Sequence, residues 1–245
     1  MSDCCLRGFQ WNAKPKGREA TLAGLDCYMT GSSPEVAILL LHDLYGWTFT
    51  NTRLLADHYA EEVGATVYIP DLRFGGEIHP LDILQDQTQW DKLDLPAFLE
   101  RNAKHIREPQ VIECAKILRS QHRRIGAIGF CYGGWAAFRL GGNSGLVDCI
   151  STAHPSLLEK CEIKAVTVPV QILAPEIDPM FTDELKAFSN QTIPKQGVAY
   201  DYQYFPGLEH AFASRGDPNN PAERKGMERA KNSAVFWFRQ WLLDV

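Results

Sequence analysis

The sequence predicts an α/β protein: a mostly parallel central sheet with helices on both faces. Three observations predict it. Short apolar runs alternate with helical stretches along the chain, the pattern of parallel strands joined by crossover helices. The run Val36–Leu41 is continuously apolar, as a strand covered on both faces must be. The chain has 245 residues, 45% of them hydrophobic, which is enough for one full core. With no internal repeat and no linker rich in Pro, Ser or Gly, residues 1–245 read as one domain.

The elements follow in order. The strand at 36–41 runs into a loop, His42-Asp43-Leu44-Tyr45-Gly46. Residues 50–63 have helical periodicity, and 66–69 form the next strand, stopped by Pro70-Asp71. Residues 75–108 are polar with scattered aromatics, which predicts helices and loops forming a lid or flank. Residues 109–121 predict an amphipathic helix, with Pro109 near its start and Val111, Ile112, Ala115, Ile117 and Leu118 on its apolar side. A short buried strand over 124–128 leads to a glycine turn and a helix from Gly134. Further strands are expected at 147–152, 168–174 and 199–204, and a short helix at 182–188. The last element is a long helix over 221–243 that turns Trp237, Phe238 and Trp241 toward the body.

Composition excludes several function classes. A net charge of −5 and the lack of a Lys/Arg cluster argue against nucleic acid as a partner. No apolar run approaches a membrane span, and Met1-Ser2-Asp3-Cys4-Cys5 does not begin a signal peptide. Seven irregularly spaced cysteines predict reduced thiols and a cytoplasmic setting. Cys4-Cys5 has no C-x-x-C partner or nearby histidine to complete a zinc site, and reads as a loosely held terminal segment. Monomer and homodimer both stay open.

The chemistry concentrates in Gly129-Phe130-Cys131-Tyr132-Gly133, between the strand at 124–128 and the helix from Gly134. Strand, tight glycine turn and helix are the context of a nucleophile elbow, which holds its central residue above the sheet. The flanking glycines leave room for close backbone approach and unusual dihedrals. A free thiol is only a few per cent thiolate at neutral pH, so Cys131 needs a base or a positive environment. The helix N-terminus supplies part of it. A histidine oriented by a carboxylate should supply the rest, in the chain order nucleophile, acid, histidine. Asp178 follows a predicted strand end, with Glu176 as its competitor. His210 follows the last predicted strand. His42 and His154 also end predicted strands and are candidates to line the pocket, whereas His58, His79, His105 and His122 read as surface or structural. The backbone N–H groups of Tyr132 and Leu44 are the candidate oxyanion donors.

Together these segments resemble the dienelactone hydrolase family, over roughly residues 20 to 243. The resemblance rests on Gly129-Phe130-Cys131-Tyr132-Gly133-Gly134, Asp178, Gly207-Leu208-Glu209-His210-Ala211-Phe212, His42-Asp43-Leu44-Tyr45-Gly46 and Pro70-Asp71-Leu72. The N-terminal Cys4-Cys5 and Pro15-Lys16-Gly17-Arg18 look like eukaryotic, particularly fungal, members. The resemblance implies an α/β-hydrolase fold and a Cys131-His210-Asp178 triad that hydrolyses a small ester or lactone through an acyl-enzyme. It implies no metal and no organic cofactor. Asp43 stands where the family often has Glu. Arg73 and Arg215 are offered as carboxylate ligands, at spacings that depart from the family's, so dienelactone itself is not inferred as the substrate. Tyr45, Trp47, Phe74, Tyr132, Trp135 and Phe212 either line the mouth for a flat, polyketide-like substrate or pack the core. Acyl transfer, cyclisation or isomerisation on the same scaffold, and a non-catalytic ligand-binding protein, are the competing functions.

Overall fold

The computed structural model describes residues 8–72, 88, 92, 94–143 and 145–244. Its eight strands are β1 Arg18–Leu22, β2 Leu25–Thr30, β3 Val36–Leu41, β4 Thr66–Pro70, β5 Arg124–Phe130, β6 Cys149–Ala153, β7 Val170–Ile177 and β8 Tyr200–Glu209. They form one sheet in the order β1-β2-β4-β3-β5-β6-β7-β8. The β1/β2 and β2/β4 pairings are antiparallel and the rest are parallel. The helices are α1 Thr50–Val63, α2 Leu95–Arg101, α3 Lys104–Gln121, α4 Gly133–Gly141, α5 Lys160–Ala165, α6 Asp183–Thr192, α7 Phe212–Arg215 and α8 Pro221–Leu242.

Every residue of β3 is buried, and the strand period of two splits them between the two faces. Ala37, Leu39 and Leu41 join Val111, Leu118, Trp135 and Phe138 of α3 and α4. Val36, Ile38 and Leu40 join Leu55 and Tyr59 of α1 and Ala234 and Phe238 of α8. Each fully buried Leu or Ile contributes roughly 1.5–3 kcal/mol. The sheet is therefore held from both sides, as the continuous apolar run requires. Among the described residues, no helix is long and apolar enough to cross a membrane.

Several elements differ from the sequence reading. The helix expected at 109–121 begins at Lys104, with Pro109 inside it. Proline there removes one early-turn hydrogen bond without stopping the helix. The strand expected at 199–204 runs on to Glu209. The β1/β2 hairpin is absent from the sequence reading. Its two-residue turn is Ala23-Gly24, at φ 55° and 77°. That is the left-handed pair such hairpins need, but it lacks the usual Asn or Asp signal. Helix α5 was also unread. Its reciprocal cap is built from Glu159 and Glu162, whereas the sequence signature looks for Ser or Thr at the first position. Of the segment 75–108, only 88, 92 and 94–108 are described, and they include α2 and the start of α3.

Candidate active site

The site lies beyond the carboxyl ends of β3, β5, β6, β7 and β8, where parallel sheets place their ligands. Cys131 follows β5 with φ 50° and is fully buried. Left-handed backbone is costly for a non-glycine residue. Three hydrogen bonds hold it: the Cys131 N–H donates to the Ala153 carbonyl (3.3 Å), and the Cys131 carbonyl accepts from Gly134 N (2.9 Å) and Ser156 N (2.8 Å). The flanking glycines contribute space rather than dihedral freedom, since none has positive φ. A Cβ on Gly129 would meet the Gly133 carbonyl oxygen at 2.1 Å, and one on Gly133 would meet the Leu41 oxygen at 2.0 Å. A Cβ on Gly134 would meet Pro155 Cβ at 2.5 Å.

Asp178 and His210 emerge together from β7 and β8. The two strands pair regularly to Pro175↔Phe205, then shift register so that Ile177 faces Glu209. A bulge of this kind re-aims the residues that follow it. The next residues are Asp178 and His210, and Asp178 Oδ1 lies 2.8 Å from His210 Nδ1. The same oxygen accepts from Met180 N (2.9 Å) and Phe181 N (3.0 Å), so the carboxylate is oriented before it meets the ring. Glu176, the competing acid, is exposed and accepts from Gly207 N instead.

Ser156 was not read from the sequence. Its hydroxyl lies 3.1 Å from Cys131 Sγ and 3.5 Å from His210 Nε2. Among the described hydrogen bonds, the line from thiol to imidazole passes through this hydroxyl. The only sequence signal was its place two residues after His154, just past a strand end at the sheet's active edge.

Leu44 and Tyr132 line one narrow cleft, with Asp43, Phe98 and Asn102. Tyr132 opens α4, where the first amides have no helical carbonyl to meet. Leu44 is carried by a loop that His42 pins: its Nδ1 donates to the Asp43 carbonyl (2.8 Å) and its Nε2 accepts from Leu72 N (3.2 Å). His42 is therefore a brace beneath the loop. Asp43 accepts from Tyr45 N (2.8 Å) and Ser214 Oγ (3.0 Å), and pairs with Arg215 Nε at 2.9 Å. Both charged side chains are buried, so the Arg215 guanidinium is already paired with a carboxylate of this chain. Its guanidinium lies 4.4 Å from the Tyr45 ring centroid.

Comparison with known proteins decides the family. Residues 25–242 match the model of the dienelactone hydrolase family. The chain belongs to that family. It is 32% identical over 249 residues to "Hydrolase tropI" of Talaromyces stipitatus, covering 98% of this chain and 96% of that protein. It is 30% identical to "Hydrolase pyvD" of Aspergillus violaceofuscus, covering 98% and 97%. The crystal structure of dienelactone hydrolase from Anabaena variabilis superposes with a TM-score of 0.66 at 14% identity, over 94% of this chain and 98% of that one, a likeness of fold. As a dienelactone hydrolase family member, the chain is a carboxylic ester or lactone hydrolase with the α/β-hydrolase fold.

The remaining residues of this family member sort by contact. His154 is fully buried, at φ 41°, with its ring 5.0 Å from that of His210. Neither ring nitrogen has a hydrogen-bond partner among the described residues. Burial, reinforced by His210 and Arg215, holds it well below the ordinary histidine range, so it is a neutral wall of the site. Phe212 packs on His154 (5.8 Å) and Phe205 (4.7 Å). Phe212, His210 and Arg215 also border a cavity of about 380 Å³ that Phe9, Gly207 and Glu223 help to enclose. Trp135 is core, packed edge-on against Tyr132 in the apolar cluster below the elbow. Trp47 belongs to the opposite cluster, with Arg53 over its ring. For these two, core packing is the outcome. Arg73, Phe74 and His79 lie outside the described residues. Of the histidines read as surface or structural, His58 and His105 are exposed and His122 is buried against Tyr68. No group of three or more metal-binding side chains occurs among the described residues.

Proposed function

We propose that this protein hydrolyses a small ester or lactone with Cys131 as nucleophile, His210 as general base and acid, and Asp178 as the group that orients His210. One observation carries the reading: a buried hydrogen-bonded line runs from Cys131 Sγ through Ser156 to His210 Nε2, and from His210 Nδ1 to Asp178 Oδ1 at 2.8 Å. This is the arrangement that sets a histidine tautomer with its far nitrogen turned toward a nucleophile.

The Cys131 thiolate attacks the acyl carbon, and the carbonyl oxygen becomes an oxyanion. The N–H groups of Tyr132 and Leu44 receive it, each such donor being worth roughly 3 kcal/mol in comparable sites. Collapse breaks the C–O bond, and the His210 imidazolium protonates the departing alkoxide. For a lactone, that alkoxide stays attached as the new hydroxyl. Water deprotonated by His210 then attacks the thioester, releasing the acid and regenerating the thiol. A reducing, cytosolic setting belongs to the same proposal, on the irregular spacing of seven cysteines.

The test is turnover of a panel of p-nitrophenyl esters and small lactones by the wild type, Cys131→Ala and His210→Ala, with thermal melting of each. The reading expects both variants to melt cooperatively and to lose turnover. Retained turnover in Cys131→Ala would remove the cysteine from the mechanism. Loss of the cooperative transition in a variant would make that residue structural.

A further inference from the structure

We propose that Ser156 is a catalytic residue: its hydroxyl relays the proton from Cys131 to His210. The inference rests on the triad reading above and adds a member to it. In the relay the Cys131 S–H donates to Ser156 Oγ, 3.1 Å from Sγ, while the Ser156 O–H donates to His210 Nε2, 3.5 Å away. The products are a thiolate, an imidazolium and an unchanged hydroxyl. One proton has moved in net from sulfur to nitrogen, and no bond to carbon is involved. A hydroxyl suits this task because it donates and accepts at the same time. The 3.5 Å step is long for a resting hydrogen bond, and catalytic contacts of this kind tighten as charge develops.

The backbone is bent to deliver this hydroxyl. Among the described residues, five non-glycine residues have positive φ: Ala23, Cys131, His154, Leu157 and Ala211. Ala23 belongs to the distant hairpin. The other four are Cys131 itself, His154 and Leu157 on either side of the Pro155-Ser156 pair, and Ala211 next to His210. Strain of roughly 1–3 kcal/mol per residue persists only where the surroundings enforce it, and here it surrounds the three relay atoms. The Ser156 N–H also donates to the Cys131 carbonyl at 2.8 Å, which fixes the two residues to each other. Ser156 is buried, so no bulk water competes for the position. Cys131 remains the nucleophile, because a thiol ionises far more readily than a serine hydroxyl.

The test compares Ser156→Thr with Ser156→Val. The two side chains match in size and branching, so packing damage is shared and only the hydroxyl differs. The charged and titratable groups around the relay are His154 after β6, Asp178 after β7, His210 after β8 and the Asp43–Arg215 pair, all unchanged in both variants. The readout is the pH dependence of kcat/KM, measured for the wild type and both variants. The relay predicts that Ser156→Thr keeps the wild-type profile. In Ser156→Val the relay predicts roughly tenfold or greater loss of kcat/KM near neutral pH. Superimposable profiles for the two variants, with Cys131→Ala inactive, would overturn the relay and leave the triad standing. An active Cys131→Ala protein would overturn both.

Discussion

Asp178 and His210 touch at 2.8 Å because a register shift in the β7/β8 ladder makes Ile177 face Glu209. Without that shift the two strands would deliver their end residues out of step. A carboxylate already held by two backbone amides can then fix one tautomer of the ring. Asp178→Asn should leave the fold intact and reduce kcat by about 10⁴, the effect of the equivalent change in the serine protease template. Steady-state rates with a thermal melt check this; a loss below tenfold would assign the orientation of His210 to other contacts.

The elbow glycines are required by space. A Cβ at Gly133 would sit 2.0 Å from the Leu41 carbonyl oxygen, a backbone atom that cannot step aside. Gly133→Ala should destabilise the protein by at least the roughly 1–3 kcal/mol of an overpacked core. Gly145→Ala is the contrast: a Cβ there meets nothing within 4 Å, and its cost comes from φ 87° alone. Urea denaturation midpoints of the two variants measure the difference, and equal losses would refute the steric account.

The sequence made the central part of this site legible and the periphery illegible, for physical reasons. Cys131, Asp178 and His210 each follow a predicted strand, so chain order alone brought them to one edge of a parallel sheet. Ser156 also follows such a strand, but a serine beside Pro155 carries no pattern that separates a hydroxyl aimed at a thiol from an ordinary turn residue. Trp47 and Trp135 were ambiguous because an aromatic near a strand end suits a pocket or a core equally well. Arg215 depended on a contact with Asp43, 172 positions away, that periodicity does not encode. The β1/β2 hairpin and α5 escaped because their turn and cap use residues outside the usual preferences.

His154 links the site to stability. An unfolded histidine titrates near 6.5, whereas burial keeps His154 neutral well below that value. Between those two pKa values the unfolded chain holds the extra proton, so this contribution to stability falls as pH drops through about 6.5, by about 1.4 kcal/mol per unit. His154→Phe keeps an aromatic ring and removes the titration. The decline in Tm from about pH 7 to about pH 5 should therefore be shallower in the variant than in the wild type. Parallel declines would mean that His154 is not held neutral.

Asp43 and Arg215 form a buried pair, and removing one partner of such a pair costs about 3–5 kcal/mol. Asp43→Asn should show a loss of this order in chemical denaturation. A change below about 1 kcal/mol would mean that the pair is solvated in solution.

Burial separates the thiols. It pushes Cys27 and Cys114 up to about 12 and Cys149 well above the ordinary range, so these three should resist iodoacetamide in the folded protein at neutral pH and label only on unfolding. Peptide mapping with and without denaturant reads this, and native labelling of Cys149 would contradict it.

The central claim is a covalent acyl-Cys131 intermediate, and the most direct measurement is the intact mass of the protein quenched during turnover of p-nitrophenyl acetate, followed by peptide mapping. The account predicts one acetyl group on the protein, located on Cys131 and absent from the Cys131→Ala variant. Turnover with no adduct, or an adduct on another residue that persists in Cys131→Ala, would contradict it.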